Sequence, residues 1–200
     1  MQTGNYSYGD SPIALSADGE RLATLKNDTT VEIWDVMTGR KLQALSGPAI
    51  VDGAHLWFSP DGNWLIIADC TGTAVVHDVI TGAEVHRFSN DGACITWVAF
   101  SPGEKLMAVT SAQLETKILN FETWQEELTL PGGWLVQFTP DGTRVIIGRN
   151  EPTGLAKSAV RMYLINLDDV VALAKSRVTR SLTTKECQHY LRMDACPGEP

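Results

Sequence analysis

Cys70, His77 and Asp78 are the residue types of a nucleophilic triad: a thiol, a base to take its proton and a carboxylate to orient the base. His77-Asp78 occupies, however, the place that the chain fills elsewhere with Trp34-Asp35, so the pair has a structural explanation. Cys70 falls in a hairpin, where a small polar residue is ordinary, and Cys94 opens a strand as a small core residue. Together with Cys187 and Cys196 they form no Cys-x-x-Cys pair, which gives zinc and dithiol redox chemistry little support. Cys187 and Cys196 could bridge the tail to itself, but reduced thiols are the expectation in a reducing compartment. The four histidines, 55, 77, 86 and 189, lack a paired spacing for a metal.

The carboxylates offer no acid/base couple. Glu126-Glu127 belongs to a polar strand and Asp168-Asp169 to the first turn of a helix, while Asp28, Asp61, Asp91 and Asp141 fit turns that bond their own backbone. No Gly-x-Gly-x-x-Gly, Walker loop or Gly-x-Ser-x-Gly elbow is present. The expectation is a protein without catalytic residues, cofactor or metal, and not an enzyme.

The elements that hold these residues repeat. Ser16-Ala-Asp-Gly19, Ser59-Pro-Asp-Gly62, Ser101-Pro-Gly-Glu104 and Thr139-Pro-Asp-Gly142 begin 43, 42 and 38 positions apart. Each is followed by an apolar run and a β-branched run ending in Trp34-Asp35, His77-Asp78, Leu119-Asn120 or Ile165-Asn166. Ser-Pro-Asp-Gly suits a tight turn, with proline at its second position and glycine in the left-handed region. The second unit divides into strands at 53–59, 64–69, 73–79 and 84–89, and the fourth has only three strands, with an insertion at 150–157.

These residues resemble the WD-repeat β-propeller family, over roughly residues 9 to 167. The likeness rests on the Phe58-Ser-Pro-Asp-Gly62 type of segment, the Trp34-Asp35 pair and the period of about forty residues. It implies an all-β chain of about four four-stranded antiparallel blades, with repeats near 9–47, 51–90, 93–131 and 133–167. Trp34-Asp35 is the only intact Trp-Asp pair, so the His-Ser-Asp-Trp tetrad of many such blades is not assembled in the usual way. The blades resemble divergent repeats of a bacterial kind, which implies a reliance on apolar packing between blades.

Residues 168–200 break the pattern and read as a short helical tail. Asp168 to Ser176 carries acidic residues first and basic residues last, with Asn166 or Asp168 as its cap. A second helix is expected from Thr183, where Thr183-x-x-Glu186 forms a capping box, to about Arg192. The tail resembles those closing bacterial multidomain WD-repeat proteins, which implies a place behind a signalling or regulatory domain. Its five acidic and five basic residues cancel, so the net charge of −8 belongs to residues 1–167.

That acidity argues against nucleic acid or an anionic membrane as partner. With 44% hydrophobic residues the chain is globular, and no apolar run reaches the roughly 18 residues of a membrane span. Met1 to Asp10 has no signal-peptide pattern, so a cytoplasmic protein is expected. Four blades are too few for the family's usual ring. The chain is then the C-terminal part of a longer propeller, half of a homodimer, or a closed four-blade ring, the first being favoured because Met1 stands almost directly before a first strand.

Six tryptophans are candidate anchors for a partner. Trp34 and Trp97 fit the core between blades, Trp57 and Trp64 flank the second turn, and Trp124 replaces the glycine of a Thr-Gly turn, leaving it exposed or folded over the blade edge. Trp134 follows Pro131-Gly-Gly133 in the loop before the fourth unit. One loop face collects Asp69, Cys70, Asn90, Asp91, Trp134, Asn150 and Glu151, an aromatic and acidic surface suited to binding protein. The expected function is a protein-interaction scaffold. The alternatives are a small-molecule sensor or hydrolase with a site in the central channel, or a degenerate fragment without its own activity.

Overall fold

A computed structural model describes residues 12–27, 29–46, 55–90, 92–103, 105–149 and 159–177, with Thr183, Lys185 and His189 beyond them. The repeats form four antiparallel sheets in chain order. The first holds β1 (Ile13–Leu15), β2 (Arg21–Asn27), β3 (Thr30–Asp35) and β4 (Lys41–Ser46). The second holds β5 (His55–Phe58), β6 (Trp64–Ala68), β7 (Thr73–Asp78) and β8 (Glu84–Ser89), each within two residues of its expected bounds. In the third lie β9 (Ile95–Phe100), β10 (Leu106–Ser111), β11 (Glu115–Asn120) and β12 (Glu126–Pro131). Among the described residues the fourth has three strands, β13 (Leu135–Phe138), β14 (Arg144–Arg149) and β15 (Ala159–Leu164).

The repeated turns fold by one local rule. The hydroxyl of the leading Ser or Thr accepts the N–H five residues on: Arg21 to Ser16 at 2.9 Å, Trp64 to Ser59 at 3.0 Å, Leu106 to Ser101 at 3.0 Å and Arg144 to Thr139 at 3.1 Å. Asp18, Asp61 and Asp141 each accept the N–H two residues on, at 2.9–3.0 Å. Glycines 19, 62 and 142 follow with φ of 75°, 72° and 70°, a conformation that leaves no strain on a residue without Cβ. These bonds stay within six residues and so recur wherever the motif does.

Alternation along each strand builds the core between blades. Leu65 and Ile67 of β6 pack with Val31 and Ile33 of β3, whereas Ile66 and Ala68 pack with Val98 and Met107 of the third sheet. A slip of one residue would exchange the two faces, so burial on both sides pins the register. The inner strands lie side by side, β1 to β5, β5 to β9 and β9 to β13, and form an open arc; the closed four-blade ring is thereby set aside.

The open arc shows in exposure at equivalent positions. Leu15, Phe58, Phe100 and Phe138 each precede the turn hydroxyl, and the three phenylalanines are buried while Leu15 is 53% exposed. Ile13 is 59% exposed, and its counterparts Leu56, Val98 and Val136 are buried. At the other end Gln137 is exposed where Trp57 and Ala99 are covered by a following blade.

Contacts divide the chain into two compact units, Met1–Tyr163 and Leu164–Pro200. The second contains α1 (Leu167–Arg177), with Asp168 and Asp169 in its first turn and Lys175 and Arg177 in its last, which suits the helix dipole. Asn166 is its cap: its side-chain oxygen accepts the Asp168 N–H at 2.8 Å. The helix expected from Thr183 to Arg192 lies mostly outside the described residues.

Candidate interaction surface

The hairpin loops between the second and third strands of a sheet lie beside the segments that lead into the next sheet. Asn90 donates its N–H to the Gly72 carbonyl at 2.8 Å and Gly132 to that of Leu114 at 2.6 Å, while within the third sheet Ala112 donates to the Cys94 carbonyl at 2.9 Å. Asp69 is 2% exposed, and its carboxylate accepts Thr71 N–H, Thr71 Oγ1–H and Thr73 N–H at 2.7–3.0 Å, which fixes the hairpin. Asn90 is 6% exposed and its carbonyl accepts the Ala93 N–H at 2.8 Å. Trp134 stands out from this face, 44% exposed, with its N–H on the Gly148 carbonyl at 3.0 Å. Asp91, Asn150 and Glu151 lie outside the described residues.

The remaining tryptophans are packed to different degrees. Trp57 is buried between the second and third sheets, and Trp64 packs on the same core with its ring edge-on to Phe121 at 6.3 Å. Trp34 and Trp97, expected in the core, are half-buried; the Trp34 Nε1–H bonds the Thr24 hydroxyl at 3.1 Å. Trp124 is folded inward, half-buried at φ 61° against His86 and Phe121. His77 is buried with Nδ1 3.4 Å from the Gly82 carbonyl, and the Asp78 carboxylate takes the Ile80 and Thr81 N–H groups at 2.8 Å. Both residues hold the turn after β7.

Cys70 and Cys94 correct the sequence reading. Cys94 is half-buried instead of a core residue, and a disulfide joins it to Cys70 across the junction of the second and third sheets. His55, at the start of β5, completes a cluster whose ligand atoms all lie within 4.8 Å of one another. Sequence spacing could not reveal it, because the cysteines are 24 residues apart and meet only when the sheets stack. Burial pulls the His55 imidazole below its ordinary pKa.

The turn acids are held charged. The Thr139 hydroxyl and the Thr143 N–H bring the Asp141 carboxyl down to about 2, and the Ser16 hydroxyl and Glu20 N–H lower that of Asp18. Between β8 and the third sheet lies a cleft of about 180 Å³, bordered by Phe88, Asn90, Lys117, Trp124 and Glu126. That volume falls short of the roughly 300 Å³ at which ligand pockets begin. No helix among the described residues is long and apolar enough to cross a membrane.

No family profile matches the chain. It is 29% identical over 94 residues to meiotic recombination protein rec14 of Schizosaccharomyces pombe, covering 47% of this chain and 31% of that protein. It is 35% identical over 79 residues to WD repeat-containing protein 1 of Gallus gallus, covering 38% of this chain and 13% of that one. The chain therefore spans less than a third of these curated relatives. Its fold matches the hydrazine synthase of Kuenenia stuttgartiensis with a TM-score of 0.65 at 17% identity, over 82% of this chain and 48% of that one. In sequence repeats, in sheet topology and in its relatives, this chain is similar to WD-repeat β-propeller proteins.

Proposed function

We propose that the chain is a non-enzymatic protein-interaction scaffold, its blades holding loops rigidly so that a partner is bound with little loss of loop entropy. The observation that carries this reading is the bare apolar face of β1: Ile13 and Leu15 are exposed where their counterparts in the later sheets are buried. A face of this kind is built to be covered by protein. Preceding blades of a longer, bacterial, regulatory protein of the cytoplasm are the occupant that best accounts for it. On the loop face Trp134 is the anchor, while Asp69 and Asn90 shape the loops from within. The similarity to WD repeat-containing protein 1 supports a scaffold, and the acidic charge disfavours nucleic acid.

The test is the light-scattering mass of the chain beside an Ile13→Glu/Leu15→Glu variant, over a range of concentrations. Preceding blades as the natural cover of β1 predict open-ended association of this chain that the two charges abolish. A discrete dimer abolished by the same charges favours the second reading, two copies closing on each other. A wild-type chain that stays monomeric throughout sinks the β1 face as an interaction surface.

A further inference from the structure

The junction between the second and third sheets holds two sulfurs and an imidazole. The hairpin Asp69–Gly72 is fixed by the Asp69 carboxylate on Thr71 and Thr73, so the position of Cys70 is set by its neighbours. Gly72 has φ 86°, and a Cβ there would come within 2.8 Å of the Ala93 nitrogen, so the two backbones touch because this residue is glycine. The Asn90 N–H closes the contact on the Gly72 carbonyl at 2.8 Å, and the Cys94 carbonyl accepts the Ala112 N–H at 2.9 Å. His55 is paired across the ladder with Ala68, one residue before Asp69, and its ring stacks on Trp57 at 5.6 Å. Each of the three donors is thus positioned by a different piece of backbone, and all three are half-buried.

We propose that this junction is a metal site: with the cystine reduced, Cys70, Cys94 and His55 bind one thiophilic divalent ion, Zn²⁺ by preference, and a second disulfide, reduced to two thiols as it takes the two electrons, re-forms the cystine and releases the ion. Bond lengths of about 2.3 Å to sulfur and 2.0–2.1 Å to nitrogen put tetrahedral ligands roughly 3.4–3.8 Å apart. The donors already lie within 4.8 Å of one another, so small side-chain rotations after cleavage of the sulfur–sulfur bond suffice. A dithiol reductant supplies two electrons and two protons and leaves as its own disulfide, giving two protein thiols. The ion then displaces the two thiol protons, and His55 binds through a ring-nitrogen lone pair. Two thiolates and an imidazole select zinc or copper(I) over magnesium or calcium. The Asp69 carboxylate is occupied by the hairpin, which leaves the fourth position to water or a group from a partner.

The full chain with Cys187→Ser/Cys196→Ser keeps Cys70 and Cys94 as its only thiols. After reduction with a phosphine, titration with Co²⁺ should raise a near-ultraviolet thiolate-to-cobalt band that saturates at one ion per chain, and Zn²⁺ should erase it. Cys70→Ser, Cys94→Ser and His55→Gln should each weaken binding by more than the roughly ten- to hundred-fold that losing a supporting hydrogen bond costs. Oxidation with diamide should release the ion. X-ray absorption on the zinc-loaded chain without the site substitutions should count two sulfurs and at least one nitrogen, so a variant that fails to fold does not end the test. A reduced chain with no charge-transfer band, a band that survives Cys94→Ser, or a zinc shell of oxygen alone overturns the proposal.

Discussion

The Trp124 indole stacks on the His86 imidazole, ring centroids 4.3 Å apart and planes 12° from parallel. His86 and Gln43 are the third residues of the outer strands β8 and β4, and Trp124 and Gly82 hold the same place in their turns. Where the first sheet meets the second, the Gln43 side chain lies against Gly82 and donates to the Ile80 carbonyl at 3.3 Å. One site between neighbouring blades is thus an amide on a glycine turn in one case and an aromatic stack in the next.

Trp124 is held at φ 61°, a conformation that costs an ordinary residue about 1–2 kcal/mol. Removing its ring should lower stability by about 2–3 kcal/mol through lost packing and stacking. Trp124→Gly should be about 1 kcal/mol milder than Trp124→Ala, because glycine carries no left-handed cost. Urea denaturation of both variants checks this, and equal losses would contradict the backbone argument.

Gly72 and Gly19 both have positive φ, 86° and 75°, but only Gly72 abuts another backbone. Gly19→Ala should cost about 1 kcal/mol, the conformational term alone. Gly72→Ala should cost about 3 kcal/mol, since the junction must also move apart. The difference in urea midpoint at unchanged m-value measures it.

Ile13 and Leu56 share one place in the repeat but differ in burial. Leu56→Ala should cost about 2–4 kcal/mol and Ile13→Ala less than about 0.5 kcal/mol in the isolated chain. A large loss for Ile13→Ala under dilute conditions would mean that its face is already covered.

The Asp141 carboxyl has its pKa lowered from 3.8 to about 2 in the folded chain by the Thr139 hydroxyl and the Thr143 N–H. A depressed folded pKa gives stability that is whole above the unfolded value and is lost as pH falls towards the folded one. Stability should therefore decline between pH 3.8 and about 2. Asp141→Asn should make that decline shallower, by up to one proton, with no effect on the slope near neutrality. Equilibrium unfolding across this range reads it directly.

Ser16, Asp18 and Gly19 spell out their turn because every bond they make closes within six residues. The same holds for Asn166 at the start of α1, whose cap bond closes within two residues, and for the apolar runs that mark the strands of the second sheet. The repeat period, the three-stranded last sheet and the bare apolar end follow from such local signals. The tertiary structure alone decided what sits between sheets. Asp69 and Asn90, polar and in loops, are buried because adjacent loops close over them. Trp57 enters the core and Trp34 stays half-buried according to which sheet face has a neighbour. Cys70, Cys94 and His55 come together although each has an unremarkable local sequence. Spacing along the chain encodes contacts within a hairpin, whereas contacts between blades depend on how whole sheets stack, and no short motif carries that.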